Sequence, residues 1–166
     1  GLTMAADLTL KGHEVTLYEE AGSWDNLRDV KEQGGIRMEG NAGSGFAVIS
    51  RLTDSLAEAV RRADVILVAM IALRHQQLAE ELGPLLTDGQ VVCYSAGNCG
   101  TILLRRRIPA GVKVITGEMQ GNVYPCRLIG KALVTSAFPY MTKKVAAYPA
   151  KDTEAFISAM EEVYPC

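Results

Sequence analysis

A glycine at the start of a predicted helix and an acid at the end of the next strand are residues with which a protein can hold a nucleotide. Gly1 opens GLTMAADLTLKG, where apolar residues recur at helical spacing and a Lys-Gly pair favours a stop. Val15 and Leu17 lie in a β-rich run that ends at Glu19. A helix N-terminus binds phosphate, and an acid about 20 residues further on binds a ribose. The interval therefore predicts the second half of a dinucleotide-binding βαβ unit.

Each end of this interval has a predicted role. Gly1 and Leu2 would lie against the pyrophosphate, with Gly1 as the third glycine of G-x-G-x-x-G, so the first strand would precede the sequence. Glu19 would accept hydrogen bonds from the adenosine ribose and repel a 2′-phosphate. With Glu20 next and no basic residue before Arg28, NAD is favoured over NADP. The alternative is that Glu19 only ends a strand in solvent.

The remaining pattern predicts a doubly wound α/β fold, with a mostly parallel sheet and helices on both faces. Residues 63–70, ADVILVAM, form a continuous apolar run suited to a buried parallel strand. Further strands are predicted at VVCYS and at residues 112–119, with helices between them. Residues 36–50 predict a surface hairpin. The extended runs on either side of Gly130 predict antiparallel additions near the edge of the sheet.

Three loops at strand ends are predicted to line a cofactor, because ligands bind at the carboxyl edge of such sheets. An ordinary turn with Asn and Gly is the alternative for the second loop, and a solvent-exposed strand end is the alternative for the last residue. The predicted residues are Met70, Ile71 and Ala72, then Ala96, Gly97 and Asn98, and finally Glu118.

No catalytic residue and no metal site are predicted in the chain. His75 begins a helix without an acid placed to orient it, so we expect it to pack at the surface or along the cofactor edge. The four cysteines form no C-x-x-C and have no nearby histidine pair, which argues against zinc and against a disulfide framework. Reduced thiols favour a cytoplasmic protein.

The composition limits the partners. The 166 residues suit one domain, and a net charge of −2 without a basic face argues against nucleic acid. No apolar run approaches the roughly 18 residues of a membrane span, so no membrane partner is expected. Small molecules are the expected ligands.

Three strings, DVILVAMIALRHQQLAEEL, GQVVCYSAGNCG and VITGEMQGNVYPCR, carry a resemblance in this order and at these separations. They resemble the nucleotide-binding domain of the octopine/nopaline (opine) dehydrogenase family, over nearly the whole chain. The family usually has a proline where this chain has residues 70–72. The resemblance implies a Rossmann-type fold, an NAD(P) cofactor, and hydride transfer to the imine of an amino acid and a 2-keto acid, a reaction of the CH-NH class.

The resemblance also implies a division of labour. The family's catalytic histidine and its acidic partner belong to a helical second domain, which would lie beyond Cys166. Residues 1–166 are then a nucleotide-binding domain truncated at both ends and inactive alone, and a homodimer would form through the absent domain. The alternatives are a ketopantoate reductase, a glycerol-3-phosphate dehydrogenase, a methyltransferase and a module that senses NADH without catalysis.

Overall fold

The computed structural model describes residues 1–23 and 25–166. Within these residues the chain forms six α-helices and ten β-strands, divided between two compact units. The helices are α1 (Leu2–Leu10), α2 (Asp25–Gln33), α3 (Leu56–Val60), α4 (His75–Leu82), α5 (Gly100–Arg105) and α6 (Thr153–Glu161). The strands are β1 (Thr16–Tyr18), β2 (Ile36–Gly40), β3 (Gly45–Ala47), β4 (Arg51–Thr53), β5 (Val65–Val68), β6 (Val91–Ser95), β7 (Ile115–Met119), β8 (Cys126–Gly130), β9 (Leu133–Ser136) and β10 (Val145–Ala147).

The second unit, Val60–Val123 with Thr142–Cys166, is built on a four-stranded sheet. β5, β6 and β7 are parallel neighbours, and β10 pairs antiparallel with β7. α4 connects β5 to β6, and α5 connects β6 to β7. β6 is buried along its whole length. The prediction that the apolar run of β5 is buried is wrong for most of that strand, because β5 lies at the edge of this sheet and only its Val68 is buried. The predicted alternation of parallel strands and helices is present in this unit.

Helices cover both faces of this sheet. Successive side chains of a strand point to opposite faces. On β7, a Cβ at Gly117 would lie 2.4 Å from the ring of Phe156, so α6 packs closely on that face. The next residue, Glu118, accepts hydrogen bonds from residues at the start of α5, which therefore lies on the other face. Phe156 and Met160 of α6 are fully buried, as their helical spacing predicts.

The first unit, Gly1–Ala59 with Tyr124–Met141, contains two sheets. β1 and β4 form a parallel pair, and the other sheet has the order β3-β2-β9-β8. α1 packs against β1, β2, β3 and β9. The core of this unit consists of the buried residues Ala5, Ala6, Leu27, Val30, Ile36, Met38, Ala47, Ala132 and Val134. The predicted first helix and the strand after it are therefore both present, and they share one core.

Two predictions about the strands of this unit are wrong. β2 and β3 form the predicted hairpin, but not at the surface, because β2 also pairs in parallel with β9, and Ile36 and Met38 are fully buried. The strands around Gly130, β8 and β9, are antiparallel as predicted, but they extend this sheet rather than the edge of the β5-β6-β7 sheet. β10 occupies that edge instead. Alternation of apolar residues shows that one face is buried, and it does not identify the partner strand.

Three further properties concern the residues that the structure describes. Each helix among them is too short or too polar to span a lipid bilayer. Their His, Cys, Asp and Glu side chains form no group of three that could hold a metal ion. The four cysteines are free thiols.

Candidate functional site

A groove with a volume of about 470 Å³ lies beside the carboxyl ends of β6 and β7. β10 runs antiparallel to β7, and Val145 pairs with Met119, so the start of β10 forms one wall of the groove. The lining residues are Ala96, Gly97, Asn98, Glu118, Met119, Gln120, Gly121, Lys144, Val145 and Ala146. Four predicted cofactor residues, Ala96, Gly97, Asn98 and Glu118, therefore meet in one groove at the edge of the sheet where α/β proteins bind ligands.

The loop between β6 and α5 has a strained backbone. Ala96, Asn98 and Cys99 have φ angles of 55°, 48° and 66°, in the left-handed region that favours glycine. Such residues cost roughly 1 to 3 kcal/mol each and are enriched at functional sites. The loop is held by a hydrogen bond from the Ala96 amide to the Gly121 carbonyl at 2.9 Å, and by one from the Asn98 side chain to the Ala96 carbonyl at 2.7 Å. Hydrogen bonds therefore hold the backbone of this wall of the groove in one conformation.

Glu118 fixes the same loop from β7. Its carboxylate accepts hydrogen bonds from the Cys99 amide at 3.1 Å, from the Thr101 amide at 3.0 Å and from the Thr101 hydroxyl at 2.6 Å. A Cβ at Gly97 would lie 2.2 Å from a Glu118 oxygen, so only glycine fits at this position. Glu118 is therefore half-buried and engaged by the loop, instead of ending a strand in open solvent.

The three predicted residues after β5 do not line the groove, and His75 contacts the backbone of the first of them. Met70 is half-buried, and the next two residues, Ile71 and Ala72, are exposed. The Met70 carbonyl lies 3.3 Å from Nε2 of His75. Because a carbonyl only accepts, Nε2 carries the proton. His75 is 2% exposed, so it supports the loop from the interior and does not lie at the surface.

Tyr94 connects the His75 ring to the loop that begins α5. The two rings meet edge to face with centroids 4.8 Å apart, and a Cβ at Gly100 would lie 2.6 Å from the Tyr94 ring. The Tyr94 hydroxyl is buried and has no hydrogen-bond partner among the described residues. Burial raises its pKa, and the Glu118 carboxylate acts in the same direction. The segments after β5 and after β6 therefore share one packed support.

Cys93, the neighbour of Tyr94 on β6, is a buried and inert thiol. It is 1% exposed, and burial raises its pKa to about 12, with smaller contributions from Cys166 and Glu118. A thiol with such a pKa is not a nucleophile near neutral pH. Cys99, in the strained loop, is exposed.

The other three predicted residues, Gly1, Leu2 and Glu19, belong to the first unit. α1 begins after Gly1 without a side-chain cap and without an acid in its first turn. Glu19 lies near the start of α1. Its amide donates to the Thr53 carbonyl of β4 at 3.3 Å.

The sequence-based prediction omits several residues of the site, among them Gln120 and Lys144, which line the groove, and Thr101, which binds Glu118 behind it. Thr101 has no local signal for its role, because its hydroxyl does not cap α5 but donates to Glu118 of the next strand. Gln120 follows Glu118 by two positions, and nothing in its sequence context distinguishes it. Lys144 enters the groove only because β10 returns antiparallel along β7, and this pairing has no local signal.

No family model matches the chain. An opine dehydrogenase of Arthrobacter sp. (strain 1C) is 30% identical to it over 130 residues. The resemblance to the opine dehydrogenases is confirmed. The alignment covers 76% of this chain and 36% of the relative, so the chain spans little more than a third of the protein that it matches.

Solved structures of dehydrogenases and reductases have the same fold as this chain. Octopine dehydrogenase in complex with NADH and L-arginine has a TM-score of 0.80 and 14% identity over 98% of this chain and 43% of that one. The complex of octopine dehydrogenase with NADH and agmatine has a TM-score of 0.78 and 13% identity, and the match covers 88% of this chain and 39% of that one. A ketopantoate reductase from Ralstonia eutropha JMP134 has a TM-score of 0.67 and 16% identity, and the match covers 98% of this chain and 50% of that one. The predicted Rossmann-type α/β fold is thereby confirmed.

Proposed function

We propose that this chain is the NAD-binding part of an oxidoreductase of the opine dehydrogenase type. The observation that carries the proposal is the 30% identity to an opine dehydrogenase over 130 residues. The domain assignment proposed for residues 1–166 is a nucleotide-binding domain. NAD(H) is favoured over NADP(H) because an acid, Glu19, follows β1.

The first unit has the groups that an adenosine diphosphate would need. The first turn of α1 has no side-chain cap, and no acid in that turn would repel a phosphate. Glu19 lies near the start of α1, where its carboxylate could accept hydrogen bonds from a ribose. These features support assigning the pyrophosphate to Gly1 and Leu2, and the ribose to Glu19.

The second unit supports the assignment of the nicotinamide end. A groove of about 470 Å³, with the small residues Ala96, Gly97 and Ala146 in its walls, can admit a flat ring. Glu118 holds the loop in one conformation, so the groove is preorganised. NADH, when bound, supplies a hydride. Met70, Ile71 and Ala72 are proposed to border the cofactor from the loop that His75 supports.

The proposed substrates are an amino acid and a 2-keto acid, and reduction would convert the C=N bond of their imine into a CH–NH single bond, with a hydride added to the carbon and a proton to the nitrogen. No catalytic residue of this chain is proposed, because His75 is buried and hydrogen-bonded to a backbone carbonyl. This chain alone should therefore show no turnover, even with NADH bound. The resemblance that supports these substrates rests on a relative of which the chain spans 36%.

A second candidate is a reductase of the ketopantoate type. The observation that favours it is the similarity to a ketopantoate reductase over 98% of this chain, with a TM-score of 0.67. Both candidates share the cofactor half and differ in the substrate. Assaying the full-length enzyme with amino acid and 2-keto acid pairs, and separately with ketopantoate, separates them.

The cofactor proposal is tested by titrating NADH into the chain and following its fluorescence. Ala146 is exposed in the wall of the groove, so Ala146→Trp should fill the groove and weaken NADH binding at least tenfold, about 1.4 kcal/mol. Ala155 is equally exposed on α6 and does not line the groove, so Ala155→Trp is the matched control and should bind normally.

The proposal is wrong if the wild-type chain is folded and does not bind NADH. It is also wrong if S-adenosylmethionine stabilises the chain against heat while NADH does not, because the ribose-binding acid would then serve a methyltransferase. If the wild type and Ala146→Trp bound NADH with equal affinity, the groove would not be part of the NADH-binding site.

A further inference from the structure

Lys144 brings a cation to the groove. It lies immediately before β10, and its carbonyl accepts a hydrogen bond from the Gln120 amide at 2.8 Å. This bond fixes the backbone of Lys144 beside the end of β7, while its side chain is exposed. Among the described residues that line the groove, it is the one lysine or arginine.

The charge of Lys144 is not neutralised by the groove itself. Glu118 is the acid in the lining, and its carboxylate already accepts three hydrogen bonds from Cys99 and Thr101. Lys144 takes part in none of the ion pairs found within the described residues. A cation without an internal partner, at the edge of a preorganised groove, is available to an anionic ligand.

The other polar side chains of the groove favour a small ligand with a carboxylate and a carbonyl. Gln120 is exposed next to Lys144 in space, and it can donate through its amide nitrogen. Asn98 uses its amide nitrogen within the loop, which leaves its oxygen as an acceptor. A 2-keto acid has a carboxylate for the lysine and a keto oxygen that accepts from a neutral donor.

We infer that Lys144 binds the carboxylate of the 2-keto acid substrate in this groove and so helps to select that substrate class. The inference rests on the proposed function, because the reacting carbonyl must lie beside the nicotinamide. It adds a substrate contact within this chain to the cofactor contacts described above. The shared chemistry, an anion on a lysine, could also belong to a cofactor phosphate, and the experiment separates the two.

The experiment measures binding of pyruvate to the full-length enzyme by calorimetry, with and without saturating NADH, and NADH binding by fluorescence. Lys144→Met should weaken pyruvate binding about tenfold, or about 1.4 kcal/mol, and leave the affinity for NADH unchanged. Lys144→Arg should restore most of the affinity. Lys143→Met is the matched control, because Lys143 is adjacent and does not line the groove, and it should bind pyruvate normally.

Pyruvamide, which has the same shape without the charge, should bind the wild type and Lys144→Met equally. The inference is overturned if the wild type does not bind pyruvate, or if Lys144→Met binds it as well as the wild type does. It is also overturned if affinity for NADH falls together with that for pyruvate, which would place a cofactor phosphate on Lys144. If pyruvate binding depends on Lys144 while NADH does not bind at all, the anion site stands and the proposed cofactor function fails.

Discussion

Gly97 and Glu118 depend on each other. Glu118 reaches the amides of Cys99 and Thr101 only because the residue that it passes has no side chain, since a Cβ at Gly97 would lie 2.2 Å from its oxygen. The three hydrogen bonds in turn hold a loop that contains left-handed residues. A carboxylate that the sequence marks as a candidate for ligand binding thus forms part of the scaffold of the groove. Its proposed contact with the cofactor would have to use the faces that these donors leave free.

Glu19 should decide the choice between the two nicotinamide cofactors. In Glu19→Ala the ribose loses an acceptor, and we expect NADH binding to weaken about fivefold, a moderate loss because Glu19 is half-exposed. Binding of NADPH should weaken less or improve, because the repulsion of its 2′-phosphate disappears. Fluorescence titrations with both cofactors measure the change in preference.

Glu14 is the control for that measurement. It is an exposed carboxylate just before β1, so Glu14→Ala removes the same charge from the same unit without touching the proposed ribose contact. An unchanged ratio of NADH to NADPH affinity in Glu19→Ala would contradict the role assigned to Glu19. If the ratio of NADH to NADPH affinity changed equally in Glu19→Ala and Glu14→Ala, the effect would come from the loss of negative charge in general and not from a ribose contact of Glu19.

At the scale of elements, the connection from β5 to α4 depends on His75. Replacing His75 by Phe keeps a ring that can pack edge to face on Tyr94 and removes the hydrogen bond to the Met70 carbonyl. We expect the free energy of unfolding to fall by about 1 kcal/mol, measured by urea denaturation. His13 is exposed, so His13→Phe provides a control that should leave stability nearly unchanged.

The same variant separates support from catalysis. In the full-length enzyme, His75→Phe should lower activity less than tenfold, because a buried histidine that donates to a backbone carbonyl does not reach a substrate. A general acid contributes about 10² to 10⁴ in rate. A loss of that size without a change in cofactor affinity would make His75 the proton donor and would refute its role as a support.

How much was predictable depended on whether the signal was local. The apolar run of β5 and the helix stop at Gly12 are local signals, and both elements are where the sequence predicts them. The partner of β2 is not local, because β9 follows it only after the whole β5-β6-β7 segment, so the buried Ile36 and Met38 were placed at a surface. The residues of the groove also differ in whether their signal is local. The loop after β6 was predicted from its own sequence, whereas Lys144 lies in the groove only because β10 pairs antiparallel with β7.

For the molecule as a whole, alkaline pH should be destabilising. An unfolded Cys93 thiol loses its proton near pH 9, whereas the folded protein holds it until about pH 12. Between these values the folded state binds more protons, so stability is fully present below pH 9 and is lost as the pH rises. Cys93 alone should lower the free energy of unfolding by about 1.4 kcal/mol per pH unit in this window. Tyr94, whose pKa is also raised, adds to the loss at higher pH.

Two substitutions isolate this contribution. Cys93→Ala should flatten the dependence of the unfolding free energy on pH above pH 9, measured by urea denaturation at several pH values. Cys99→Ala removes an exposed thiol and should leave that dependence as it is in the wild type. Parallel profiles for the wild type and Cys93→Ala would show that the buried thiol does not control alkaline unfolding.

The interleaving of the two units has a consequence for synthesis on the ribosome. The sheet of the first unit needs β9, and the sheet of the second needs β10, so each unit is completed by residues near the carboxyl end of this sequence. The first unit cannot finish folding until β9 has been translated, and the second cannot finish until β10 has been translated. The buried face of β2 and the edge of β7 must therefore wait exposed, at a time when chaperones that recognise apolar strands have their best access to the nascent protein.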